Sequence, residues 1–371
     1  MKFLCENRKR ALFFAAAVIF ISFASIAAIS RGTFLEKNID SPVTAKFEPS
    51  DSQALGQNFV IGIPGETLDA ATAAFLKHVH PAGIVLYTRN YKSPEQLKAL
   101  IVDLQGLALR TTGRVYFIMI DEEPGGATRL NLFQNVFAAG VPDWEQIASD
   151  VSTLKKFGIN VDLAPVADFP FDKDSFITFR MPANTTSALI AFDDKFIPLL
   201  HANGIAATLK HFPGMGIFKT DPHRELPQAN IDSEKLKQSL DIFQDGVNAG
   251  ADFVMTGHAI YGNIDPSGPA TLSSKIINDL LRGQINFKGL TITDDLSDMP
   301  FILNKKMDMV QATIAAIKNG QNLLIFSHKN ENTLKIFDSV ANLMKSDAEF
   351  RNAILDNYKK IISFKESKEI K

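Results

Sequence analysis

The chain has 371 residues, 46% of them hydrophobic and 22% charged, with a formal net charge of −2. That balance is ordinary for a globular protein and gives no basic footprint for nucleic acid or an anionic membrane surface. The single cysteine, Cys5, excludes an intrachain disulfide and a multi-cysteine structural zinc site.

The first thirty residues differ from the rest. MKFLCENRKR carries Lys2, Arg8, Lys9 and Arg10, and ALFFAAAVIFISFASIAAIS then runs without charge from Ala11 to Ser30. A basic flank ahead of an apolar run keeps that end in the cytoplasm and sends the remainder across. The run is long for a cleaved signal and about right for a span. Residues 1–30 therefore read as a signal anchor or a cleaved signal peptide, with membrane contact through 11–30 if uncleaved. The remainder is expected outside the cytoplasm. Cys5 precedes the apolar run, whereas a lipidation cysteine would follow it. Residues 31–55 are polar, lack sustained periodicity and read as a linker. A main domain is expected over 56–350. Residues 351–371, lysine-rich at their end, read as a solvated helix end or tail.

Eight short apolar runs follow in the main domain: NFVIGI (58–63), GIVLYT (83–88), VYFIMI (115–120), INVDLAPV (159–166), IAATLK (205–210), ADFVMT (251–256), LTITDD (290–295) and NLLIFS (322–327). Helix-like stretches separate them, such as 93–109 and 232–250, the latter opening on an Asp232/Ser233 cap signal and closing on Gly250. Near-continuous apolar strands alternating with amphipathic helices predict a parallel sheet covered by helices. Eight such units suit an α/β (β/α)8 TIM barrel. An open doubly wound sheet would also accommodate eight strands, but no G-x-G-x-x-G follows the first run.

Ionisable residues lie just beyond most runs: Arg89, Asp121-Glu122-Glu123, Asp168, Arg180 further along the same loop, Lys210-His211, His258, Asp294-Asp295 and His328. Charge at the C-terminal mouth of so many strands is costly unless solvated, paired or used, and that mouth is where barrel active sites sit. In TITDD, alternation sends one aspartate toward the axis and the other away. An axial carboxylate among Lys210, Arg129 and Arg180 would stay ionised and would suit a nucleophile or an electrostatic stabiliser. Asp221 and His223 lie two apart on a loop rich in Gly and Pro. The carboxylate would orient the imidazole and raise its pKa, which suits a general acid/base. Gly214, Gly216 and the prolines at 213 and 222 suggest that 213–222 closes as a lid. There is no H-E-x-x-H or G-x-S-x-G, and no H-x-H among the histidines beyond the strand ends, so neither a metal nor a serine triad is expected.

GIVLYTRNYKSPEQLKAL (83–100), DEEPGGATRL (121–130), LAPVADF (163–169), KHFPGMGIFKTDPH (210–223) and GLTITDDLSDM (289–299) together resemble glycoside hydrolase family 3, in particular its bacterial single-barrel β-N-acetylglucosaminidases. The resemblance implies a TIM barrel without cofactor that cleaves terminal β-linked sugars with retention. It places the nucleophile on Asp294, the acid/base on His223 assisted by Asp221, and sugar contacts on Asp121, Arg129, Arg180, Lys210 and His211. The implied substrate is a carbohydrate, a terminal β-linked N-acetylglucosamine in peptidoglycan fragments. A β-glucosidase, a phosphorylase of the same fold and a catalytically weak glycan-binding barrel stay open. The sequence departs from the family's usual D-Q-E-G-G-R-V-x-R at Glu122, Pro124, Gly126 and Ala127, and Met215 stands where the family has a histidine.

Overall fold

The computed structural model describes residues 49–137, 140–183, 185–299, 307–328 and 331–368, all within the unit running from Pro49 to Lys371. Cys5, the apolar run at 11–30 and most of the expected linker lie outside the described residues. No described helix is long and apolar enough to cross a membrane.

Each of the eight apolar runs contains a strand: β1 (Phe59–Gly62), β2 (Gly83–Leu86), β3 (Phe117–Ile120), β4 (Val161–Asp162), β5 (Ala206–Phe212), β6 (Phe253–Thr256), β7 (Leu290–Asp295) and β8 (Leu323–Phe326). They pair in parallel and close into a barrel in chain order, β8 returning to β1. Every residue of these strands is buried, because barrel filling covers one face and helices the other. Among the covering helices, that over Pro94–Thr112 starts where Ser93 accepts Gln96 N–H with Pro94 in the first turn, and stops at Gly113 with φ 69°. The helix over Ser233–Asn248 is capped by Asp232, as its sequence signals. Two short parallel strands, Gln228–Ala229 and Ile260–Tyr261, pair beside the mouth. Two residues are too few to leave a periodic signal.

Val60, Val85, Met119, Phe253, Ile292 and Ile325 pack together inside the barrel. The interior is thus a core and not a pore, and the C-terminal mouth is the end at which barrel active sites sit. The opposite end is plugged by the helix Ala348–Ser367. Its Ile361 joins the interior cluster, and Phe364 packs at 5.1 Å on Phe253. Lys365 Nζ donates to the carbonyls of Ala82 (2.7 Å) and Val115 (2.9 Å) and lies 4.5 Å from the centre of the Phe117 ring.

This corrects the reading of the lysine-rich end as solvated. Strand-start carbonyls and aromatic faces at the barrel floor capture one of its lysines. The end of the expected linker is also structured: Asp51–Gly56 is a helix capped by Ser50, and Asp51 pairs with Arg351 at 2.7 Å. Lys365→Ala should lower stability by about 2–4 kcal/mol, from an emptied floor plus a Val115 carbonyl left without its partner, while Ala82 O keeps the Phe117 N–H. Denaturant unfolding of the variant beside wild type measures it.

Candidate active site

Three strand ends build the mouth. β5 lies two strands from β3 on one side and two from β7 on the other. Its register shifts against β6 between Lys210 and Phe212. Strict alternation would send Lys210 and His211 to opposite faces; an extra residue in the ladder relaxes that rule, and both side chains reach the mouth. Lys210 serves the β3 side and His211 the β7 side.

On the β3 side, Lys210 Nζ lies 2.7 Å from both Asp121 Oδ1 and Glu123 Oε1. Arg129 Nη2 is 3.0 Å from Asp121 Oδ2, and Arg180 Nη2 is 2.6 Å from Glu123 Oε1. Burial opposes the charge on Glu123, but Lys210 and Arg180 outweigh it and hold the carboxyl far below its usual range. Asp121 is lowered likewise, by Lys210 and then Arg129 against burial. Lys210 is raised because those two carboxylates overcome its desolvation. The result is a preorganised polar wall in which the cations are already paired.

On the β7 side, Asp294 is met by imidazoles. His223 Nε2 lies 3.5 Å from Oδ1 and His211 Nε2 4.0 Å from Oδ2. This corrects the expectation that Asp294 sits among Lys210, Arg129 and Arg180: β7 is across the barrel from β3, and the β3 carboxylates take those cations. Burial opposes the charge on Asp294, but His223, by its charge and its hydrogen bond, holds it well below the usual carboxylate range. Its neighbour Asp295 turns away and accepts the N–H groups of Ser297 (2.9 Å) and Ser327 (3.1 Å).

His223 closes the mouth from above. Asp221 Oδ1 accepts its backbone N–H at 2.9 Å and lies 3.1 Å from Nδ1. The charge of Asp294, and after it the Asp221 hydrogen bond, raise the imidazole to about 11 against its desolvation. With the His223 side chain 35% exposed and that of Asp294 only 11%, His223 covers the carboxylate.

The loop bearing His223 is more tightly fastened than its glycines and prolines suggest. Pro213 O accepts Ser239 Oγ (2.6 Å) and Gly214 O accepts the Tyr261 hydroxyl (2.8 Å). Gly216 O accepts Phe171 N–H at 3.1 Å, and a Cβ there would stand 1.5 Å from Phe169 O, so only glycine permits this seam. Lys219 pairs with Asp172 at 2.9 Å. Fastening resumes at Pro227, whose carbonyl accepts Ile260 N–H at 2.9 Å. Within the loop expected to close as a lid over 213–222, residues 213–219 are thus tied down, while the backbone bonds of 220–226 stay within the loop.

Three residues named only as rim charges prove to hold others. Glu123 anchors Lys210 and Arg180. Asp168 takes His211 Nδ1 at 2.7 Å, along with the N–H groups of His211 (3.1 Å) and Met215 (2.6 Å). His258 lies between Thr271 Oγ1 (2.7 Å) and the Asp295 carbonyl (2.9 Å); burial lowers it to about 4, so it is neutral and donates from Nε2. Arg89 instead braces the barrel, bonding the carbonyls of Ile63 (2.9 Å) and Ser327. His328 is exposed.

A family comparison covers the whole of this barrel. Residues 53–364 match the glycosyl hydrolase family 3 N-terminal domain. The chain belongs to glycoside hydrolase family 3. A β-hexosaminidase of Stenotrophomonas maltophilia (strain R551-3) is 32% identical over 253 residues, covering 64% of this chain and 74% of the relative. One from Xanthomonas axonopodis pv. citri is 31% identical over 256 residues, with the same coverage. Among solved structures, a family 3 β-N-acetylglucosaminidase from Paenibacillus sp. str. FPU-7 superposes with a TM-score of 0.78 at 27% identity. The match covers 87% of this chain but only 63% of that one. A β-N-acetylhexosaminidase from Beutenbergia cavernae DSM 12333 gives 0.77 at 25% identity, over 87% and 99%. As a family 3 member, the protein is a glycosidase acting on carbohydrate.

Proposed function

We propose that this family 3 glycosidase is a retaining exo-β-N-acetylglucosaminidase in which Asp294 is the nucleophile and His223, oriented by Asp221, is the acid/base. The relatives named as β-hexosaminidases and β-N-acetylglucosaminidases support the sugar. The carrying observation for the mechanism is the 3.5 Å approach of His223 Nε2 to Asp294 Oδ1.

In the first step Asp294 attacks the anomeric carbon as the glycosidic C–O bond breaks, and His223 gives its proton to the departing oxygen. In the second, water attacks the anomeric carbon, yields its proton to His223 and releases the ester, so the product keeps the β configuration. A group raised to about 11 stays protonated at neutral pH and so cannot take a proton, but the cause of that rise is the charge on Asp294. Esterification neutralises Asp294. The imidazole then falls back toward its ordinary range and becomes a base when one is needed. A 3.5 Å gap leaves no room for an anomeric carbon, so residues 220–226 move outward to admit substrate. Asp121, Arg129, Arg180, Lys210 and His211 are assigned to the sugar hydroxyls.

The natural substrate in this reading is terminal β-linked N-acetylglucosamine on peptidoglycan fragments, met outside the cytoplasm if the N-terminal apolar run exports the barrel. The test is turnover of 4-nitrophenyl β-N-acetylglucosaminide beside the matching β-glucoside, with and without phosphate. Preference for the N-acetylglucosaminide without phosphate dependence is expected. A preference for the glucoside, a requirement for phosphate, or wall-fragment binding without turnover would each overturn this reading in favour of one of the alternatives above.

A further inference from the structure

Glu122 and Asp162 are fully buried beneath the mouth and have no part in the chemistry above. Glu122 Oε1 accepts the backbone N–H groups of Arg129 (2.5 Å) and Leu130. The same turn is closed by a bridge between Glu122 and Thr128 and by Glu123 N–H to Ala127 O at 2.8 Å. Arg129 leaves this turn to reach Asp121. Glu122 Oε2 has no partner, and neither has Asp162 Oδ2; Asp162 Oδ1 accepts Glu122 N–H at 3.1 Å.

The charges facing Glu122 are Asp121 from the end of β3, Asp162 from β4 and Arg129 from the turn, with Lys210 from β5 acting on Asp162. The salt bridges of Lys210, Arg129 and Arg180 all go to Asp121 and Glu123. Among the described residues no ion pair reaches Glu122 or Asp162. An ionised Glu122 would be a buried charge without a counterion in a nest of carboxylates. A protonated Glu122 keeps both amide bonds through Oε1 and carries no charge.

We propose that Glu122 is a positioning residue that works as an uncharged acid, folding the 122–130 turn so that Arg129 is set against Asp121. Its consequence for catalysis rests on the function proposed above. The electrostatics agree in direction. Burial, against the two amides, raises Glu122 from 4.5 to about 7. The native turn therefore prefers the protonated form. The stability this gives the turn is complete below about 4.5 and is lost as pH rises through about 7.

The test is amide hydrogen exchange at Arg129 and Leu130 in the full chain, corrected for intrinsic rates, at pH 5 and pH 8. In wild type, protection should fall about tenfold or more between these values. Glu122→Gln keeps the Oε1 acceptor without the charge and should stay protected at both. Glu122→Ala should exchange about tenfold faster than Glu122→Gln at pH 5, with thermal unfolding confirming that it is folded. In turnover, Glu122→Ala should raise KM far more than it lowers kcat, and Glu122→Gln should restore KM. Exchange as fast in Glu122→Gln as in Glu122→Ala would mean that the ionised carboxylate holds the turn, and the proposal fails. Full protection in Glu122→Ala would also sink it. A wild-type protein without glycosidase turnover would defeat the hydrolase reading, while exchange would still decide this one.

Discussion

Asp294→Asn should lower kcat on 4-nitrophenyl β-N-acetylglucosaminide by about 10⁴-fold or more, the scale seen when a covalent nucleophile is removed. Loss of activity alone would not distinguish a nucleophile from a structural carboxylate. A second readout does. In the proposed site the charge of Asp294 is the main cause of the raised His223 pKa. The Asn variant should therefore bring the imidazole titration down from about 11 toward 6.5, which NMR of the ring can follow.

A histidine raised on folding contributes stability that is complete below its unfolded value and is lost as pH rises through its folded value. In wild type that window extends from about 6.5 to about 11. In Asp294→Asn it contracts, so the closing of 220–226 should weaken between pH 7 and 9. If the His223 titration does not move, Asp294 and His223 are not coupled and the proposed pair is wrong.

His223→Ala should cost about 10²–10⁴-fold with a poorly leaving alkyl or sugar aglycone, the usual worth of a general acid. With a well-leaving aryl group the first step needs little protonation. The second step still lacks its base, so the glycosyl-enzyme should accumulate and a burst should precede slow turnover. Azide needs no deprotonation and should restore turnover in this variant, giving the β-glycosyl azide. A uniform loss across leaving groups, with no burst and no response to azide, would show that His223 only shapes the site.

Much of the fold is legible in the sequence because parallel barrel strands are apolar on both faces and bounded by helices. All eight runs carry strands for that reason. The pairing of charges across the mouth is not legible. Alternation in TITDD separates Asp294 from Asp295, but nothing local tells that Lys210 and Arg129 would turn to Asp121, or that imidazoles would gather on Asp294. That depends on which strands face one another and on the register shift at Lys210. The holding roles of Glu123, Asp168 and His258 are hidden likewise, since a buried carboxylate or imidazole and a rim charge look alike in sequence. The floor contacts of Lys365 are invisible because a lysine in a polar helix face reads as solvated until an aromatic floor is placed beneath it. The Asp221–His223 pair is legible, because two residues of loop are enough to bring its groups together.

The most direct measurement is to trap the intermediate with a 5-fluoro N-acetylglucosaminyl fluoride, digest the protein and locate the added sugar by mass spectrometry. The account predicts one covalent glycosyl residue on the peptide spanning 290–299, attached at Asp294. A sugar on another carboxylate, or turnover that yields the α-anomer with no adduct at any time, would contradict it.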